Sequence, residues 1–419
     1  MPAPTVHSAP ASAFAPFRYP AFRAIWTANL FSNIGSMIQS VGAAWLMTEL
    51  TSSHLLVALV QASATIPILL LGMFAGAIAD NFDRRRVMLA AQSGMLVVSA
   101  VLAVLAFTDN VGPWSLLALT LMVGMGTALN GPAWQASVRL QVGPADLPQA
   151  ISLNAISFNL ARSVGPALGG ILISLWSTSL AFALNAISYL GMIVVLSRWR
   201  PESLPPMREP MLSAIGRGIR FCAGSSPIRK VLARGLFIGF GAAGLQALMP
   251  SIARDMLNGS ELDYGLMLGG FGMGSILTAL RISAIRRRFG SETVVTAATL
   301  IFVTAQLLMA SATGVPMAVF AAFVGGMGWA SAMTSLNVAM QLRSPDEILG
   351  RCLSIYQAIT FGGMALGAWA WGSVADIGGL VAALHAAALC LALSLVMHFI
   401  APMPTREEGR LDPVPESKP

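Results

Sequence analysis

Residues 55–86 read LLVALVQASATIPILLLGMFAGAIADNFDRRR, an unbroken apolar run that stops at Asp80 and is followed at once by Arg84, Arg85 and Arg86. A helix needs about 20 mostly apolar residues to cross the hydrocarbon of a bilayer. Residues 55–79 satisfy that, and the arginines behind them belong in water beside an anionic membrane surface. The same alternation of apolar run and charged stop recurs along the chain. It gives twelve expected spans, at about 24–48, 55–79, 87–107, 114–138, 148–175, 179–197, 231–253, 263–285, 293–312, 316–341, 348–374 and 380–401.

The composition agrees. Of 419 residues, 56% are hydrophobic and 10% charged, with a mean hydropathy of +0.72. Soluble domains carry roughly a quarter charged residues, so most of this surface must face lipid. If the N-terminus is placed on the cytoplasmic side, all but two of the 25 basic residues fall in cytoplasmic segments. Arg254 is the one external exception and Arg162 lies within a span. That segregation requires an even number of spans with both termini cytoplasmic. The net charge of +7 is therefore a membrane-surface feature, and a nucleic-acid partner is not expected.

The longest polar interruption holds Pro201, Pro205, Pro206 and Pro210 and divides the spans six and six. Around it the sequence repeats at a fixed offset: Gly72 returns as Gly274, Arg84–Arg86 as Arg286–Arg288, and Gly124-Met-Gly126 as Gly326-Met-Gly328. The expected organisation is a disordered cytoplasmic tail over 1–19, a six-helix bundle over 20–198 and a cytoplasmic linker over 199–229. A second six-helix bundle follows over 230–402, then a cytoplasmic tail over 403–419. Within the linker, 211–224 (MLSAIGRGIRFCAG) reads as a short basic amphipathic helix on the inner surface. Two six-helix repeats around a midplane site form a transporter arrangement.

Some residues inside the spans are too polar for lipid. Arg162 is the clearest, because a charge at the bilayer centre costs roughly 2.5–3.5 kcal/mol on the mildest scale. At 100° per residue Asn154, Asn159, Arg162, Gly165, Pro166 and Gly169 share a face of the fifth span, with Gly170 beside them. Asn29, Asn33, Ser36 and Ser40 form a stripe on the first span with Trp26 beside it. Thr120, Gly124, Thr127, Gly131 and Trp134 align on the fourth, Asn337 and Gln341 on the tenth, and Tyr356, Thr360 and Trp371 on the eleventh. Such stripes suit a cavity that binds amphipathic small molecules, or else hydrogen bonding between helices.

Residues Gly76, Asp80, Arg84 and Arg85 resemble the GxLaDrxGRk signature of the major facilitator superfamily, with Asp83 in place of the usual second Gly. The DNFDRRR variant and the LTSSHLLVALVQASATIPILLLG text before it are similar to the transmembrane secretion effector branch, which includes the enterobactin exporter. The likeness runs over nearly the whole chain. It implies the major facilitator fold: an all-α membrane protein with twelve transmembrane helices in two pseudo-symmetric six-helix bundles. It also implies export of a drug, siderophore or metabolite, and ARSVGPALGG (161–170) resembles the GPxxGG motif of drug:proton antiporters. The implied setting is the bacterial inner membrane, with a monomer exchanging cargo for protons.

The residues assign roles alongside that resemblance. Asp80, paired with Arg84 or Arg86 and with the start of the eleventh span, would latch the cytoplasmic side shut. Gly76, Arg85, Gly165, Pro166, Gly169 and Gly170 join it as gating positions. No acid is clearly buried, which leaves Glu49 and Asp80 as proton-carrying positions. An importer or lipid translocator on the same scaffold is the second reading, and a non-transporting sensor the third.

Other chemistries find no support. Gly239-Phe-Gly241-Ala-Ala-Gly244 fits GxGxxG in letters only, because it lies inside a span without a preceding strand. No GxxxxGK[ST] is present, the three cysteines are far apart in sequence, and the four histidines are scattered. No cofactor, metal site or enzymatic activity is expected.

Overall fold

The computed structural model describes residues 13–201, 211–345, 348–400 and 402–403. The apolar runs become long helices: α1 (Pro20–Leu50), α2 (His54–Asn81), α3 (Arg84–Phe107), α4 (Pro113–Ser137), α5 (Leu147–Leu175) and α6 (Thr178–Arg198). After α7 (Met211–Gly224) come α8 (Ser226–Ser251), α9 (Glu261–Ala279), α10 (Ile282–Ala310), α11 (Val315–Arg343), α12 (Leu349–Gly378) and α13 (Leu380–Ser394). The short α14 (Met397–Ile400) extends α13.

The helix starts are written in the sequence. Ser53, Ser177 and Ser225 cap α2, α6 and α8 by accepting backbone N–H groups of the first turn. Ser260 and Asp263 cap α9 reciprocally. Asp83 caps α3 by accepting from the Arg86 N–H at 2.9 Å, which gives this position a use for an acid in place of glycine. Two turns depend on glycine with positive φ. Gly379 (+84°) reverses the chain between α12 and α13, and Gly290 (+81°) breaks α10 near its start. The expected run 263–285 is divided at Leu280 and Arg281, since α9 ends at Ala279 and Ile282 begins the next helix.

Nine of the described helices or helix runs are long and apolar enough to cross a membrane. Of the other long helices, α1 carries Asn29, Asn33 and Gln39, α9 is rich in glycine, and α12 carries Arg351, Gln357 and Asp376. Each of these three packs along neighbouring helices, where polar and small residues are tolerated.

The two sets of six pack in the same order. In the first, contact runs α5–α1–α6–α3–α4–α2; in the second, the corresponding sequence is α12–α8–α13–α10–α11–α9. The halves meet where α2 lies against α12 and α5 against α9. These two pairs exchange under the same correspondence, so the interface has the pseudo-twofold character of the halves.

One end of the molecule, here the basic face, gathers the start of α1, the end of α2, α7 and the start of α8. It also carries Arg84, Arg85, Arg86, Arg139, Arg198 and Arg217. Arg85 donates to the carbonyls of Leu196 (2.7 Å) and Ser197 (2.8 Å) at the end of α6, and Arg84 to that of Ala136 at the end of α4 (3.1 Å). Cations thus serve the carbonyl ends of helices. In the other half Arg234 is paired with Glu292 at 2.8 Å, and Glu292 also accepts from the Met403 N–H and contacts His398.

The buried apolar core is unequal along the bundle axis. Toward the opposite face one cluster takes in both halves, from Ile38, Trp45 and Ala58 to Leu245, Phe271, Trp371 and Ala375. Toward the basic face the core splits into three separate clusters. Two belong to the first half, around Ile25 and Met192 and around Phe22 and Leu153, and one to the second, around Ile228, Leu336 and Tyr356. The apolar core is shared by the halves at the opposite face and divided between them toward the basic one.

Candidate functional site

The division of the core can be followed along α5. Gly165 and Gly169 face α1: a Cβ on Gly165 would lie 2.6 Å from Met37 Cβ, and one on Gly169 3.2 Å from Ile38 Cα. Gly170 faces α9, where a Cβ would lie 2.7 Å from the Glu261 carbonyl oxygen and 3.0 Å from Gly265 Cα. Gly272 of α9 meets Ser163 in the same seam, and a Cβ there would lie 2.8 Å from Ser163 Cα and 3.0 Å from the Arg162 carbonyl oxygen. At 100° per residue, Arg162 points into the sector of α5 between the α1 seam and the α9 seam.

That sector changes character at Arg162. Beyond it, toward the opposite face, Pro166, Gly169 and Ile173 are buried. Before it, toward the basic face, Ile151, Ala155, Phe158 and Asn159 are exposed. A side chain on a helix leans toward the N-terminus, which here means toward the basic face. The guanidinium follows that rule and lies over the Phe158 ring at 5.9 Å. No carboxylate among the described residues pairs with it. Arg162 therefore sits half-buried where the sector of α5 between the two seams passes from buried to exposed.

The other expected site residues fall into groups. Asn159 shares the exposed sector, with its amide donating to the Ala155 carbonyl at 2.8 Å. Asn154 and Thr120 each keep a buried acceptor oxygen with no partner among the described residues. Asn29 is buried and Asn33 half-buried. Ser36 contacts the Tyr189 hydroxyl at 3.0 Å, so it looks into the α1–α6 contact. Trp26 donates its indole N–H to the Leu153 carbonyl at 3.0 Å, tying the starts of α1 and α5 together. Trp134 packs with the apolar cluster around Ile25 and Met88.

In the second half, Gln341 donates to Asn337 at 2.5 Å along α11. Tyr356 and Thr360 are buried against α8, where a Cβ on Gly235 would lie 2.6 Å from Thr360 Oγ1 and 3.3 Å from the Tyr356 ring. Trp371 donates to the Phe240 carbonyl at 2.8 Å in the same seam. The eleventh-span stripe is thus a helix contact.

Of the gating positions, Gly76 has open space around it, and Arg84 and Arg85 hold helix ends within the first half. The Asp80 side chain lies outside the described part of the structure. Glu49 accepts the Trp45 indole N–H at 2.9 Å near the opposite face.

The sequence did not signal the contacts that shut the opposite face. Trp45 stacks on Tyr264 at 6.4 Å between ring centres, Arg254 donates to Thr48 Oγ1 at 3.1 Å, and His54 lies 3.5 Å from Asp255. Each joins one half to the other. Single residues at span ends give no periodic signal, and pairing across 200 residues leaves none in one sequence.

Known proteins bear out this architecture. A model of the transmembrane secretion effector family matches residues 11–418. The chain is similar to the multidrug efflux pump Tap of Mycolicibacterium fortuitum, at 25% identity over 388 residues, covering 88% of this chain and 92% of that protein. It is also similar to the staphyloferrin A transporter of Staphylococcus aureus, at 23% identity over 371 residues, covering 88% and 93% respectively. Among solved structures, a bacterial homolog of the human lysosomal transporter Spinster, inward-facing and occupied, superposes with a TM-score of 0.75 at 13% identity. The match covers 95% of this chain and 99% of that one. The chain, a multi-pass membrane protein of two matched helical halves, belongs to the transmembrane secretion effector family of the major facilitator superfamily of transporters.

Proposed function

We propose that the protein is a secondary active exporter of small hydrophobic or amphipathic molecules, working by alternating access from the basic face to the opposite one. The observation that carries this reading is the shared core at one end and the divided core at the other, with Arg162 between them. A cavity that is open at the basic face loads there. The positive-inside rule makes the basic face cytoplasmic, which puts both termini inside and the opposite face outside a bacterial inner membrane. The efflux activity named for the mycobacterial relative supports the outward direction.

The sparsely polar lining suits such cargo. Exposed Ile151, Ala155 and Phe158 supply apolar contact, while Asn159 and Arg162 supply hydrogen bonds and charge. Asn154, with its unpartnered acceptor, is the next position along α5 to offer one. Gly76 and Asp80, with Arg84, Arg85 and Arg86, form the closing device of the basic face. Protons drive the cycle, with Glu49 and Asp80 as their carriers, and the working unit is a monomer without a nucleic-acid partner.

Drug accumulation in cells with and without the gene tests the direction. Cells carrying it should hold less of a neutral or anionic lipophilic dye, and a protonophore should abolish the difference. Higher accumulation in the gene-bearing cells would reverse the assignment to import.

A further inference from the structure

The start of α2 completes its hydrogen bonds with a group from the other half of the molecule. The first N–H groups of a helix have no partner within it. In α2 the Val57 N–H reaches the Ser53 carbonyl at 3.2 Å, and the Leu56 N–H reaches Ser53 Oγ at 3.3 Å. The two that remain, on His54 and Leu55, both donate to Asp376 Oδ1 of α12, at 2.6 and 3.3 Å. Asp376 Oδ2 accepts from the Ser53 hydroxyl at 2.8 Å. One carboxylate thus takes three hydrogen bonds at the positive end of a helix that belongs to the opposing half.

The backbones are close beside this contact. A Cβ on Gly372, one turn before Asp376, would lie 2.8 Å from Leu55 Cα and 3.0 Å from Ala58 Cβ. Since α2 and α12 run antiparallel, Asp80, next to last in α2, occupies the matching backbone position at the other end of the pair. Separation of the halves at the opposite face must break all three bonds to Asp376, and the His54 and Leu55 N–H groups would then be left to water.

We propose that Asp376 is a positioning residue of the transport cycle, a carboxylate that caps α2 across the interface, holds the opposite face shut, and lets go when that face opens. The inference presupposes the alternating-access reading but not the direction or the cargo.

Its test reads conformation without substrate. Spin labels on Asn110→Cys and Ser311→Cys, exposed turn residues of the two halves at the opposite face, would be introduced with Cys222, Cys352 and Cys390 replaced by alanine. Electron–electron distances are then compared in purified full-length protein. Asp376→Ala should raise the long-distance, open population at least threefold. His54→Pro should do likewise, because it removes the N–H while suiting the first helical position after an extended Ser53. His54→Ala keeps the N–H, loses only the contact with Asp255, and should open the face less than His54→Pro does. Were Asp376→Ala to unfold, the comparison of His54→Pro with His54→Ala would still decide. Unchanged distances in His54→Pro, or equal opening in His54→Pro and His54→Ala, would overturn the proposal. Because no transport is measured, failure of the export reading would appear separately, as absent efflux in a protein whose faces still open.

Discussion

Arg162 places a charge in the middle of α5, far from either end of the helix. A guanidinium in a span must find water or a partner, and the described structure gives it the Phe158 ring and an open sector of α5. Phe158 itself was not legible as its companion, since an aromatic residue four positions earlier on an apolar helix looks like any core residue. Arg162→Ala is expected to lower efflux at least tenfold while leaving insertion intact, as monitored by accumulation and by size exclusion of the solubilised protein. Arg162→Lys should retain part of the activity, because an ammonium keeps the charge but not the planar group that spreads over the ring. The polar stripes were less informative. A stripe says that a face avoids lipid, but not which neighbour it meets, and Tyr356, Thr360 and Trp371 meet α8.

Among the elements, the α5–α9 seam governs how closely the halves can approach. Gly170→Ala places a methyl 2.7 Å from the Glu261 carbonyl oxygen, a clash with backbone that no side-chain rotation relieves. Overpacking of this kind costs about 1–3 kcal/mol, so thermal unfolding of the detergent-solubilised variant should fall measurably below wild type. The sector of α5 that changes character at Arg162 makes a second prediction. In inverted vesicles, with Cys222, Cys352 and Cys390 replaced by alanine, Ala155→Cys should react with a membrane-impermeant maleimide added outside, and Ile173→Cys should stay protected. Equal labelling of the two would show that the halves do not part as proposed. The serine and aspartate caps at the helix starts are local signals that a search for apolar runs passes over, whereas the break at Gly290 falls in the polar interruption RRRFGSE (286–292) that the expected spans leave open.

At the scale of the whole molecule, the number of apolar runs, the segregation of arginines and the internal repeat were sufficient to indicate two six-helix halves of the major facilitator type. Each of those signals is distributed over the chain and survives the loss of any single position. The conformation was not legible, because it depends on which ends of the halves share a core, and the same twelve apolar faces serve an inward-open and an outward-open molecule equally well. Here the shared cluster at the opposite face and the divided clusters at the basic face set the direction of opening. The most direct measurement is uptake of a fluorescent lipophilic dye into inverted membrane vesicles, whose outer surface is the cytoplasmic one. The account predicts energy-dependent accumulation inside vesicles bearing the wild-type protein, at least tenfold weaker with Arg162→Ala. Vesicles that accumulate no more dye than protein-free controls, or that do so only when right side out, would contradict it.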